Sequence, residues 1–154
     1  MATRTVIVAV DGSAHSRLAF EWYLSNVWRA DDMVVVTHIP EAPNLPTFSF
    51  KSPLNIPFEE WQKLLEETAQ RVKHIEEEYE SKLIQKKMKY KIKGDGKTKP
   101  GEGILAVAEE VRADLIVMGS RGLDPLRRTF LGSVSDYVIH NTKVPVVICP
   151  KKNE

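Results

Sequence analysis

Gly119, Gly122, Gly132 and Ser133 lie in one segment that leaves an apolar run, Asp114 to Met118, and enters a helix-like run, Val134 to Asn141. Glycines let backbone N–H groups approach a ligand with no Cβ in the way, and a helix start adds unpaired amides at the positive end of its dipole. The chemistry on offer is capture of phosphate oxygens by the amides of Ser133, Val134 and Ser135, with the Ser133 and Ser135 hydroxyls as further hydrogen-bonding groups. The competing reading of Ser133 is a plain helix cap. Arg121 is the best-placed cation of this segment, while Arg127 and Arg128 read as surface. Where the first apolar run ends, Asp11-Gly12-Ser13 supplies a carboxylate for sugar hydroxyls or for a metal carried on phosphate; an Asx turn is the alternative. Ile39 and Met118 end their runs where a base such as adenine would need an apolar wall, although each alone reads as core.

These residues need strands to carry them and helices to follow. Thr3 to Val10 and Met33 to Ile39 are nearly continuous β-branched runs, as expected of strands covered on both faces. Ser13 is a candidate N-cap for a helix to about Trp28, with Leu18, Ala19, Trp22 and Tyr23 on its inner side. Five prolines between Pro40 and Pro57 mark a long surface loop. Trp61, Leu64, Leu65, Thr68, Val72, Ile75, Tyr79 and Leu83 then recur at steps of three and four, predicting a long amphipathic helix. Lys87 to Lys93 alternates strictly, so Met88, Tyr90 and Ile92 are expected to face a core. Gly94 to Gly103 reads as turn, Ile104 to Val111 as a short helix, Asp114 to Met118 as a strand, Ser133 to Asn141 as a helix and Val144 to Ile148 as a last strand. Five strands alternating with four helices predict a single α/β doubly wound domain over residues 1–154, a parallel sheet with helices on both faces. Ligands of such sheets bind beyond the carboxyl ends of the strands, where the strand order reverses.

Composition narrows the partners. The formal net charge is +1 over 154 residues, which favours neither nucleic acid nor an anionic membrane. Eight lysines lie between Lys82 and Lys99, but Tyr90 is the only aromatic among them, so they read as a guarded sheet edge rather than a nucleic-acid platform. No apolar run approaches the length of a membrane span, no signal-peptide pattern opens the chain, and the lone Cys149 allows no internal disulfide, so a cytoplasmic location is expected. His15, His38, His74 and His140 lack zinc-ligand spacing; His38 reads as a satisfied core-edge histidine, and the histidines as a group lie away from the glycine segment. The P-loop, dinucleotide and nucleophile-elbow patterns are absent. The uncharged Val144–Ile148 strand is the expected surface for a homodimer.

From Thr3 to Pro150 the chain resembles the universal stress protein family, whose nucleotide-binding branch carries G-x2-G-x9-G-[ST]; Gly119, Gly122, Gly132 and Ser133 fit that spacing without a gap. Asp11, Ile39 and Met118 match the family's positions at the ends of the first, second and fourth strands, and Val134 and Ser135 continue its phosphate contacts. The resemblance implies a Rossmann-like fold with strand order 3-2-1-4-5, dimerisation through the last strand, and ATP or another adenine nucleotide with Mg2+ as ligand. It implies a stress-response sensor or regulator with an as yet unidentified protein partner. A slow ATP hydrolase and a dimeric interaction module with a vestigial crevice are the alternatives.

Overall fold

The computed structural model describes residues 3–40, 58–94, 99–120 and 131–150. Arg121, Gly122, Arg127, Arg128 and most of the Pro40 to Pro57 loop lie outside the described residues.

The β-branched run at the start forms β1 (Thr5–Ala9), in which every residue after Thr5 is buried. It is followed by α1 (Ala14–Asn26), β2 (Met33–His38), α2 (Phe58–Gln85), β3 (Lys89–Gly94), α3 (Pro100–Glu110), β4 (Leu115–Gly119), α4 (Ser133–Asn141) and β5 (Val146–Cys149). The strands make one five-stranded parallel sheet in the order β3-β2-β1-β4-β5. Parallel neighbours need a crossover, and the helices that supply it cover both faces, so the central strands are apolar on both sides. On one face Val6, Val8, Val34, Val36 and Val117 pack beneath Phe20 and Tyr23 of α1 and Ile75, Tyr79 and Leu83 of α2. On the other, Ile7, Ala9, Val35, Ile39, Ile116 and Met118 pack beneath Ile104, Val107 and Ala108 of α3 and Val138 of α4. Each of the valine, leucine, isoleucine, methionine and phenylalanine side chains contributes about 1.5–3 kcal/mol on full burial, and Phe20 and Tyr79 add an edge-to-face contact at 5.1 Å.

The structure departs from the sequence expectation in several places. α1 turns Ser16, Ala19, Phe20 and Tyr23 inward, leaving Leu18 and Trp22 53% and 37% exposed. The buried stripe is thus shifted from the expected one, because Ser16 is drawn under the turn that precedes the helix. β3 begins at Lys89: Lys87 adopts φ +53°, an αL residue that ends α2's descent, so Met88 is buried ahead of the strand, while Tyr90 and Ile92 are only half-buried at the edge. α3 starts at Pro100, inside the stretch read as turn, with proline in the first helical turn where its missing N–H costs nothing. Among the described residues, no helix is long and apolar enough to cross a membrane.

Polar groups at the amino ends of the strands are tied to one another. Asp32, fully buried, receives Arg4 Nε at 2.8 Å and Arg4 Nη2 at 2.6 Å, the Tyr23 hydroxyl at 2.7 Å and the Arg29 amide at 3.1 Å. Burial works to raise its pKa, but these hydrogen bonds outweigh it and hold the carboxyl below the usual range. Tyr23 is pushed well up, by burial first and then by its bond to Asp32.

Candidate functional site

The strand order reverses between β1 and β4, and the crevice beyond their carboxyl ends has two walls. The first wall is the turn from β1 into α1. Asp11 Oδ1 accepts the Ser13 amide at 2.9 Å, an Asx turn, and Ser13 Oγ accepts the Ser16 amide at 3.2 Å as the N-cap of α1. Ser16 Oγ donates to the Ser13 carbonyl at 3.0 Å, accepts the Asp11 amide at 3.3 Å and meets the Tyr79 hydroxyl of α2 at 3.5 Å. Gly12 has φ +80°, a left-handed conformation that favours glycine, and a Cβ there would stand 3.0 Å from Ile75 Cδ1. The functional and structural readings of Asp11 therefore coexist: one oxygen builds the turn, and the other has no hydrogen-bond partner among the described residues.

The second wall is the return from β4 to α4. The Ser120 amide donates to Cys149 O at 3.1 Å, while Ser120 O accepts the Gly132 amide at 2.6 Å and Ser135 Oγ at 3.0 Å. These bonds clamp the two ends of the glycine segment together, with Gly132 as the N-cap of α4 and no side chain bonded at the cap. Ser133 is exposed at the first turn, whereas Ser135 is buried with its hydroxyl shared between Ser120 O and Gly132 O. Its hydroxyl thus serves the clamp. Among the described residues, the amides of Ser133, Val134 and Ser135 have no acceptor, which leaves three donors at a helix N-terminus.

Gly119 joins the two walls. A Cβ there would lie 3.0 Å from His15 O and 3.3 Å from His15 Cβ, so the end of β4 rests directly on the first turn of α1. Glycine at this position is demanded by packing, and the packing brings Asp11, Gly12 and Ser13 beside the glycine segment. It also places His15 against that segment, where the sequence reading set the histidines apart from it. Ile39 and Met118 are both 5% exposed within the α3/α4-side core, alongside Ala9.

Several polar groups here were not singled out as site residues by pattern. Four buried side-chain nitrogen or oxygen atoms lack a partner among the described residues, and three of them, His15 Nδ1, Thr37 Oγ1 and His38 Nδ1, belong to the carboxyl ends of the strands or the α1 turn beside them. His38 is buried as expected but not satisfied. Burial drives its pKa down, and the nearby Asp11 carboxylate partly opposes that. Strand-end position was the only available signal, because Thr37 and His38 sit in an otherwise ordinary apolar run. Among the described residues, no group of three or more His, Cys, Asp or Glu is arranged to hold a metal ion.

Comparison with known proteins bears on this arrangement. The model described as the universal stress protein family matches residues 2–150. A universal stress protein of Thermus aquaticus is 31% identical over 146 residues, covering 94% of this chain and 97% of the relative. One from Synechocystis sp. is 51% identical over 49 residues, 32% of each chain. In the three curated relatives matched first, this chain spans 32%, 23% and 33% of the relative's length. Among solved structures, a universal stress protein family protein of Arabidopsis thaliana with AMP bound superposes with a TM-score of 0.70 at 20% identity, covering 97% of this chain and 92% of that one. At that identity it demonstrates the shared fold.

Proposed function

Because this chain belongs to the universal stress protein family, we propose that it is an adenine-nucleotide-binding stress regulator that holds ATP with Mg2+ in the crevice between β1 and β4. One observation carries this reading: Gly119 rests on the first turn of α1, which brings the β1–α1 turn, where one Asp11 oxygen has no partner among the described residues, beside the return from β4 to α4, whose first three amides likewise have no acceptor among the described residues. An acceptor beside donors suits a ligand with hydroxyls at one end and phosphates at the other. Gly12 and Ser13 shape the acceptor wall, Ile39 and Met118 stand at strand ends for the base, and Arg121 and Gly122 belong to the segment that meets the phosphates. AMP in the Arabidopsis relative supports an adenine nucleotide as the ligand class. The hard anionic oxygen of Asp11 fits Mg2+, which would neutralise phosphate charge when bound.

Amide donors and one carboxylate engaged in its own turn suit holding a nucleotide better than splitting it, so hydrolysis is expected to be slow. Multiple turnover well above background, lost on Asp11→Asn, would reverse that reading in favour of an enzyme. Val146, Val147 and Ile148 are half-buried along the free edge of β5. We assign homodimerisation to that edge, and a monomeric mass by light scattering at micromolar concentration would remove it. A cytoplasmic location and a protein partner that reads the occupied state complete the proposal.

Calorimetric titration of ligand-free protein with ATP and magnesium is the direct test. Saturable binding near one site per chain is expected. Gly122→Val should abolish it by placing a side chain where backbone must approach phosphate, with thermal unfolding unchanged. Unaltered binding by that variant would overturn the phosphate assignment.

A further inference from the structure

β3 is an edge strand: it pairs with β2, and among the described residues no other backbone hydrogen bond reaches it. In a parallel pair, residues in register turn their side chains to the same face of the sheet. Lys89, Lys91 and Lys93 stand beside Met33, Val35 and Thr37, which puts them on the α3/α4 side, where Lys93 is ion-paired with Glu110 of α3. Tyr90 and Ile92 turn to the other side, and the Tyr90 hydroxyl donates to Glu80 Oε1 of α2 at 2.8 Å. Lys89 and Lys91 are exposed, as are Lys86 and Lys87 in the turn that leads to the strand, and among the described residues none of these four has an ion-pair partner. A chain whose formal net charge is only +1 thus gathers unpaired cations along one free edge.

We propose that this edge docks an extended acidic peptide of a partner protein as an added strand, with its carboxylates beside Lys89 and Lys91. Same-face residues of a strand recur about every 6.6 Å, and an extended peptide with an acid at every second position repeats at the same distance. Main-chain hydrogen bonds then supply the pairing, and the lysine row supplies the selection. Nucleic acid fits less well, because the one aromatic ring of the strand is packed towards α2 and offers no stacking surface. A second copy is disfavoured, since its β3 brings the same lysines and its β5 brings no acid. The residues that keep the edge from pairing with itself are thereby the ones that choose its partner. Docking here is independent of the nucleotide reading.

Fluorescence anisotropy with a labelled peptide of about ten residues, alternating glutamate and valine, tests this on the full chain. Saturable binding is expected, and Lys89→Glu combined with Lys91→Glu should weaken it by about tenfold or more with thermal unfolding unchanged. A peptide of the same composition with its glutamates in one block should bind clearly less tightly, and equal affinity overturns the proposal. Two N-methylated forms of the alternating peptide, one blocked at the glutamates and one at the valines, separate pairing from charge in the wild-type protein. Loss of binding in at least one is expected, and full retention in both overturns strand addition. An oligothymidylate of equal charge that binds more tightly than the peptide overturns the choice of partner, as does the absence of saturable peptide binding.

Discussion

The two ends of the sheet use polar groups in opposite ways. At the amino end, the Asp32 carboxylate is buried and receives four donors from Arg4, Tyr23 and Arg29, while Asp114 Oδ2 accepts the Thr5 amide at 2.8 Å. At the carboxyl end, among the described residues, Asp11 keeps one oxygen unpartnered, Thr37, His38 and His15 bury unpaired atoms, and the first three amides of α4 have no acceptor. Among the described residues, Trp28 Nε1 is the exception at the amino end. A buried polar group without a partner carries a penalty of about 1–3 kcal/mol. Its concentration on one end is what the proposed binding site there requires, while the paired end marks where polarity holds the fold.

The sharpest way to break this contrast is to remove one carboxylate from each end. Asp32→Ala strands Arg4 and the Tyr23 hydroxyl and should cost about 3–5 kcal/mol in urea unfolding, with ATP affinity retained. Acid should produce a related loss in the wild type: the folded Asp32 pKa is depressed, so its contribution is complete above the unfolded value of about 3.9 and disappears as pH falls through the folded one. Asp11→Ala should cost no more than about 1 kcal/mol of stability, the value of one turn hydrogen bond, yet weaken ATP binding tenfold or more. Comparable stability losses in the two variants would erase the distinction. A smaller effect sharpens it within the acceptor wall. Ser13→Ala removes the N-cap bond to the Ser16 amide and should cost about 1 kcal/mol by thermal or urea unfolding. A change near zero would show that Asp11 alone fixes the turn.

The sheet was legible because β-branched runs are a strong signal; of the glycine pattern, Gly119, Gly132 and Ser133 lie at the return from β4 to α4, and Gly122 lies outside the described residues. The α1 stripe was misread because its inner face includes Ser16, a polar residue whose reason for burial is the turn above it. The start of α3 was hidden by Gly101 and Gly103, which resemble turn residues. A Cβ at Gly101 would stand 2.6 Å from the Tyr137 ring of α4, so the close approach of two helices selects glycine there. Gly119 was read as making room for ligand, and the structure shows that it makes room for His15. Thr37 and His38 acquire meaning only from what fails to pair with them, and a linear pattern does not record an unmade bond. In α2 the apolar stripe from Trp61 to Leu83 was visible, but only Ile75, Tyr79 and Leu83 of its members are buried, all in the later turns.

The position of β1 has a consequence for how the chain assembles as it is made. β1 lies between β2 and β4, and the bond from the Thr5 amide to Asp114 closes a separation of 109 residues. The β3-β2-β1 half needs only the first 94 residues, whereas the crevice requires β4 and α4, which end at Asn141. Pairings so distant in sequence are slow to form, so a nascent chain carries one open edge of β1 until most of its length has emerged. The crevice is by topology among the last features to be completed, and its formation reports that the whole sheet has closed.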